Sequence, residues 1–194
     1  MSRTDSIGKL GIILSFIGYC FAPSAAEAYQ CGWVFAPQVQ YDTGTNATGV
    51  DTADFNGDGL LDIIVSNRVT NDVVVLVNDG TGQFTLLSTV FVGGTPRYVV
   101  AGDLDGDGDI DAVTPNWDGD TVSILINDGT GVLTVLDEYT FYRPTCIALA
   151  DLDGDGDLDF AVSNLRGDSI TIAANLGKGG FVVATTLLVG PRPR

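Results

Sequence analysis

The chain has no histidine among its 194 residues, and only 9 lysines and arginines stand against 25 aspartates and glutamates. The missing histidine removes the commonest general acid/base, and no recognisable nucleophile motif takes its place. The shortage of positive charge, a formal net charge of −16, excludes nucleic acid as a partner, because phosphate binding needs a basic surface. No apolar run is long enough to span a bilayer comfortably: the stretch from Leu10 to Ala22 is too short. With Arg3 and Lys9 before it and Ala26-Glu27-Ala28 after it, that stretch reads as a secretory leader over residues 1–28, cleaved after Ala28. The residues before Cys20 do not form a lipoprotein cleavage box.

Cysteine is scarce as well. Cleavage would remove Cys20 and leave Cys31 and Cys146. Export permits a disulfide between them. The alternative is a buried, free Cys146 in an apolar strand and an exposed Cys31. It is preferred here, because two cysteines are no disulfide framework.

What the chain does have is one acidic loop in three copies. They read DFNGDGLLD from Asp54, DLDGDGDID from Asp103 and DLDGDGDLD from Asp151, their first aspartates 49 and 48 residues apart. Oxygen side chains occupy positions 1, 3, 5 and 9. These are Asp54, Asn56, Asp58 and Asp62, then Asp103, Asp105, Asp107 and Asp111, then Asp151, Asp153, Asp155 and Asp159. Glycine at positions 4 and 6 allows the positive φ of a sharp turn. A hard cation such as Ca²⁺ takes about six to eight oxygens, and alternate residues of a tight loop direct theirs to one centre. Position 7, occupied by Leu60, Asp109 and Asp157, contributes its backbone carbonyl, so its side chain is free to vary. A single loop could be a solvated acidic turn. Three copies with the same ligand spacing point to about three Ca²⁺, because carboxylates this close repel without a cation. Asn56 makes the first loop the weakest site. Export suits such loops, since extracellular calcium is near millimolar and fills weak sites.

The surroundings define the architecture. A helix–loop–helix site needs a bidentate Glu at position 12, which is here Val65, Thr114 and Val162. Nonapeptide β-helix repeats are absent. The segments after the loops, IIVSN, AVTPN and AVSN, are strand-like. Aligned on the loops, each repeat shows four strand-like segments. They cover 48–54, 62–67, 72–79 and 83–92, then 97–103, 111–116, 121–128 and 132–141, then 145–151, 159–164, 169–175 and 181–189. Turn signals such as Asn78-Asp79-Gly80-Thr81-Gly82 part the last two. Four antiparallel strands per repeat of this length make a propeller blade. The fold expected is all-β, a β-propeller-type repeat array of three four-stranded blades. Residues 29–47 carry a partial blade strand, 48–93, 94–142 and 143–190 are blades, and 191–194 start another.

The motif D-x-[DN]-G-D-G-x-x-D, followed by an apolar strand and Asn67, Asn116 or Asn164, resembles the FG-GAP/VCBS repeat family, propellers related to the integrin α-subunit head. The resemblance runs from about residue 33 to residue 190. It implies that the loop joins the first two strands of a blade and holds Ca²⁺, a role carried only onto the loop positions named above. Family propellers usually close about six to eight blades. This chain has three and a strand-like stretch from Val34 to Tyr41. Two readings stay open. The chain is an incomplete or truncated propeller, preferred because its end, Gly190 to Arg194, aligns with Gly94 to Arg97 in mid-repeat; or two copies associate to complete a ring.

The expected function is a secreted, periplasmic or cell-surface module for adhesion or ligand recognition. It is non-catalytic, its partner is an extracellular protein or glycan, and it has no membrane span after leader cleavage. The alternatives are a lectin-like propeller, or a fragment of a propeller polysaccharide lyase or dehydratase. A lectin needs one aromatic set per blade, and Trp117 has no aromatic counterpart at Val69 or Leu165; packing is its preferred role. Arg97, Tyr98 and Arg143 lie near the innermost strands and hint at an anionic ligand. Arg166-Gly167-Asp168-Ser169 spells an integrin-binding tetrapeptide, but it aligns with the turns Thr70-Asn71-Asp72-Val73 and Asp118-Gly119-Asp120-Thr121 and reads as hairpin chemistry. Asn46-Ala47-Thr48 is a glycosylation sequon, relevant only in a host with that machinery.

Overall fold

A computed structural model of the chain describes residues 10–12 and 39–190. Most of the expected leader with its expected cleavage site, Cys20, Cys31, and residues 191–194 lie outside the described residues.

The described residues form strands joined by turns. Strand β1 (Leu10–Ile12) pairs antiparallel with β2 (Val39–Tyr41). Three four-stranded antiparallel sheets follow. Blade 1 holds β3 (Ala47–Ala53), β4 (Asp62–Asn67), β5 (Asp72–Asn78) and β6 (Phe84–Phe91). Blade 2 holds β7 (Val100–Gly102), β8 (Asp111–Asn116), β9 (Thr121–Asn127) and β10 (Leu133–Thr140). Blade 3 holds β11 (Pro144–Ala150), β12 (Asp159–Asn164), β13 (Ser169–Asn175) and β14 (Phe181–Leu188). Strands pair in chain order within each blade. The three blades do not close a ring, so the fold is all-β and an incomplete propeller.

The middle strands are apolar on successive residues, as in DIIVSN and DVVVLVN, because a blade is covered on both faces. One face of blade 1, with Ile64, Val73 and Val75, meets Val99, Ala112 and Leu125 of blade 2. Val113, Val122 and Ile124 of blade 2 meet Phe160, Val162 and Ala173 of blade 3. The cores therefore lie between blades, not within them. The outer corner repeats too. Tyr139 of β10 packs edge-on against Phe181 and accepts its N–H at 2.9 Å, and Tyr41 of β2 meets Phe84 the same way at 3.3 Å. Strand β7 is shorter than its counterparts. Arg97 donates to the Pro115 carbonyl at 3.1 Å, but proline has no N–H to return, so the ladder breaks there.

Nothing among the described residues covers the far face of blade 3. Its β13 alternates buried and half-buried residues where β5 is buried almost throughout. Cys146 lies on that face, and the expectation of a buried thiol is wrong: it is free and exposed. The matching position in blade 1, Gly49, is buried beside Tyr98 of blade 2, and among the described residues no blade follows Cys146.

The strand order puts the β3–β4, β7–β8 and β11–β12 loops at one end of the blades, with the turns between third and fourth strands. The turns between second and third strands share the opposite end with the links between blades. There Asn71 accepts the Thr95 N–H at 2.7 Å and Asp120 that of Arg143 at 2.9 Å, each tying a blade to the next. Asn71, Asp120 and Asp168 share positive φ values of 56°, 54° and 43°. The pairs Asn67–Asp72, Asn116–Thr121 and Asn164–Ser169 fix the register. Asp168 thus corresponds to Asn71, not Asp72, and Trp117 to Arg68, not Val69; both sequence alignments were one residue out in blade 1. Asp168 occupies the latch position, which supports the hairpin reading of the tetrapeptide.

Candidate metal centres

Each acidic loop leaves the inner strand of its blade and returns as the buried second strand. Position 9 is the first residue of that strand, so Asp62, Asp111 and Asp159 are 0, 0 and 1 % exposed. A buried carboxylate needs partners, and each finds two. Oδ2 accepts the N–H of position 2: Phe55 at 3.1 Å, Leu104 at 2.8 Å and Leu152 at 2.8 Å. Oδ1 accepts the N–H of the residue ending the third strand: Asn78 at 2.9 Å, Asn127 at 2.8 Å and Asn175 at 2.8 Å.

Position 1 ties the turn. Asp54 accepts from the Asp58 and Gly59 N–H groups, Asp103 from Gly106 and Gly108, and Asp151 from Gly154 and Gly156. Those bonds close because glycine takes φ values of 71° to 100° at positions 4 and 6. Position 3 accepts the position 5 N–H: Asn56 from Asp58, Asp105 from Asp107 and Asp153 from Asp155, each at 3.1 to 3.2 Å. Asp58, Asp107 and Asp155 accept the N–H of position 7 in turn.

The result is a converging oxygen set. Carboxylate oxygens of Asp103, Asp105 and Asp111 lie within 4.8 Å of one another, as do those of Asp151, Asp153 and Asp159. Oxygens sharing one Ca²⁺ at about 2.3–2.6 Å are at most about 5 Å apart, so these sets fit the ion. Asp107 and Asp155 fall outside them. The first loop has two carboxylates at the matching positions, Asp54 and Asp62, with Asn56 between, whose amide donates to Asp58 at 3.0 Å. At position 7, a Cβ added to Gly129 would come within 2.5 Å of Asp109 Oδ2, so the Asp109 side chain faces the turn. That is consistent with the carbonyl being the contribution of this position.

Crowding shows in the proton affinities. Burial, and less so the Asp105 and Asp107 charges, lifts the Asp111 carboxyl from 3.8 to about 6 against its two N–H bonds. Desolvation raises Asp105 and Asp153 as well, with neighbouring aspartates adding to it. Asp79 and Asp128, in the nearby turns, move down because the Thr81 and Thr130 hydroxyls bond to them.

The FG-GAP-like repeat model matches residues 30–65, 54–114 and 103–162, and each match ends in the strand after an acidic loop. The chain belongs to the FG-GAP-like repeat family. A solved Agrocybe aegerita lectin that recognises non-reducing terminal N-acetylglucosamine is 23 % identical, with TM-score 0.51 over 72 % of this chain and 38 % of that one. A Lactobacillus plantarum protein is 16 % identical, with TM-score 0.59 over 79 % of this chain and 45 % of that one. Both show a shared propeller-like fold, and this FG-GAP-like chain spans less than half of either. No curated protein matches.

Three residues were not recognised as site residues from sequence. Asn78, Asn127 and Asn175 look like turn residues, yet each caps the buried aspartate of its blade. The signal was the recurrence of Asn at the end of every third strand. Trp117 is half-buried, with the Arg97 guanidinium 3.8 Å and that of Arg143 5.3 Å from its ring centre. This favours packing across the seam of blades 2 and 3 over an open sugar platform.

Proposed function

We propose that this FG-GAP-like chain is an exported, calcium-binding, non-catalytic module for adhesion or ligand recognition. The observation that carries the reading is the repeated oxygen set, with Asp103, Asp105 and Asp111 in one blade and Asp151, Asp153 and Asp159 in the next. Calcium would neutralise these carboxylates and draw the loop together. The chain's own part is to hold position 9 buried on two N–H bonds and to shape the turn with glycine. The absence of histidine and the engagement of the loop aspartates in one another's turns support a binding role over catalysis. The leader-like start and the calcium chemistry favour export. No helix among the described residues is long and apolar enough to cross a membrane. The partner is an extracellular protein or glycan held by loops at one end of the blades. Melting the protein in calcium and in chelator tests the reading. A large upward shift in calcium is expected, and identical melts would refute it.

A further inference from the structure

We infer that the three loops do not bind calcium independently, and that Asn127 and Asn175 couple each site to its neighbour. This rests on the calcium reading above. Asn127 is 3 % and Asn175 2 % exposed, and each works in two blades at once. The Asn127 N–H holds Asp111 of its own loop at 2.8 Å. Its side-chain amide crosses the seam to the Phe55 carbonyl of the first loop, also at 2.8 Å. Phe55 in turn donates its N–H to Asp62 at 3.1 Å. The next seam repeats the pattern: Asn175 holds Asp159 by its N–H at 2.8 Å and the Leu104 carbonyl by its amide at 2.8 Å. Leu104 donates to Asp111 at 2.8 Å.

The result is one unbroken path, Asp62–Phe55–Asn127–Asp111–Leu104–Asn175–Asp159. Every member is a buried polar group or a peptide of a buried residue, so each bond is costly to leave unmade. Ordering one loop fixes the peptide or asparagine that the next loop needs. A second ion then meets a loop already partly ordered, which is positive cooperativity. Asn78 is the internal control. It holds Asp62 and the Leu61 carbonyl within its own blade, at 2.9 and 3.2 Å, and no bond from it to another blade occurs among the described residues.

Calcium titration calorimetry on the chelator-stripped chain tests this with Asn127→Ala, Asn175→Ala and Asn78→Ala. Outer positioning residues of metal sites commonly change affinity by about 10- to 100-fold. The wild type should bind with a Hill slope above 1. Asn127→Ala and Asn175→Ala should flatten the slope and weaken binding about tenfold or more, though neither side chain is a ligand. Asn78→Ala should keep the slope. Equal effects of all three variants, or independent sites in the wild type, would overturn the coupling and leave the calcium reading standing. No binding in the wild type would overturn both. Should an asparagine variant fail to fold, Asp105→Asn, which weakens the second loop's own oxygen set, gives the same test: the first and third sites weaken if coupled and keep their affinity if not.

Discussion

Leu104 and Leu152 hold the same position in successive loops, yet one is 1 % and the other 49 % exposed. The difference is the blade that packs over Leu104 and has no counterpart over Leu152. Truncating either to alanine removes three carbon groups, a transfer loss of about 2.4 kcal/mol when fully buried at about 0.8 kcal/mol each. At Leu104 a cavity is left between Val113 and Phe160, and the total should reach about 3–4 kcal/mol. At Leu152 about half the transfer term applies and no closed cavity forms, so about 1 kcal/mol is expected. Urea unfolding of the calcium-saturated chain measures both, and unchanged slopes with shifted midpoints would confirm a pure stability effect. Equal costs at the two positions would refute the view that interblade burial, and not the loop itself, anchors position 2.

In the ion-free chain the Asp111 carboxyl titrates near 6, above its unfolded value, so its contribution is present below about pH 4 and fades as pH rises through about 6. Ion-free stability should fall over that window while calcium affinity rises, which melts and titrations at several pH values would show; a flat affinity from pH 5 to 7 would contradict it. Asn56→Asp supplies the missing carboxylate and removes the amide donated to Asp58, so the first site should tighten in a direct titration. Asp120→Ala loses the bond from the Arg143 N–H that ties blade 2 to blade 3 and should cost about 1–3 kcal/mol in urea unfolding, whereas Asp168→Ala should leave cell attachment unchanged.

Much of this was legible because the repeat writes its chemistry in side chains. The loops announced themselves through aspartates at fixed offsets, and strands such as DIIVSN and DAVTPN ran over the residues expected. What was missed depends on neighbours in space. Cys146 sits in an apolar strand, but its burial depended on a blade beside it. Matching Asp72 with Asp168 followed residue identity, whereas the left-handed turn position accepts Asn71, Asp120 or Asp168 alike. Asn127 and Asn175 carried no local sign that their amides reach a loop 72 and 71 residues earlier.

Equilibrium dialysis of the chelator-stripped protein against calcium counts the ions directly. About three per chain, falling by one in a chain with the third loop disabled by Asp151→Asn and Asp153→Asn, is the expected result. No retained calcium, or a count unchanged by disabling that loop, would contradict it.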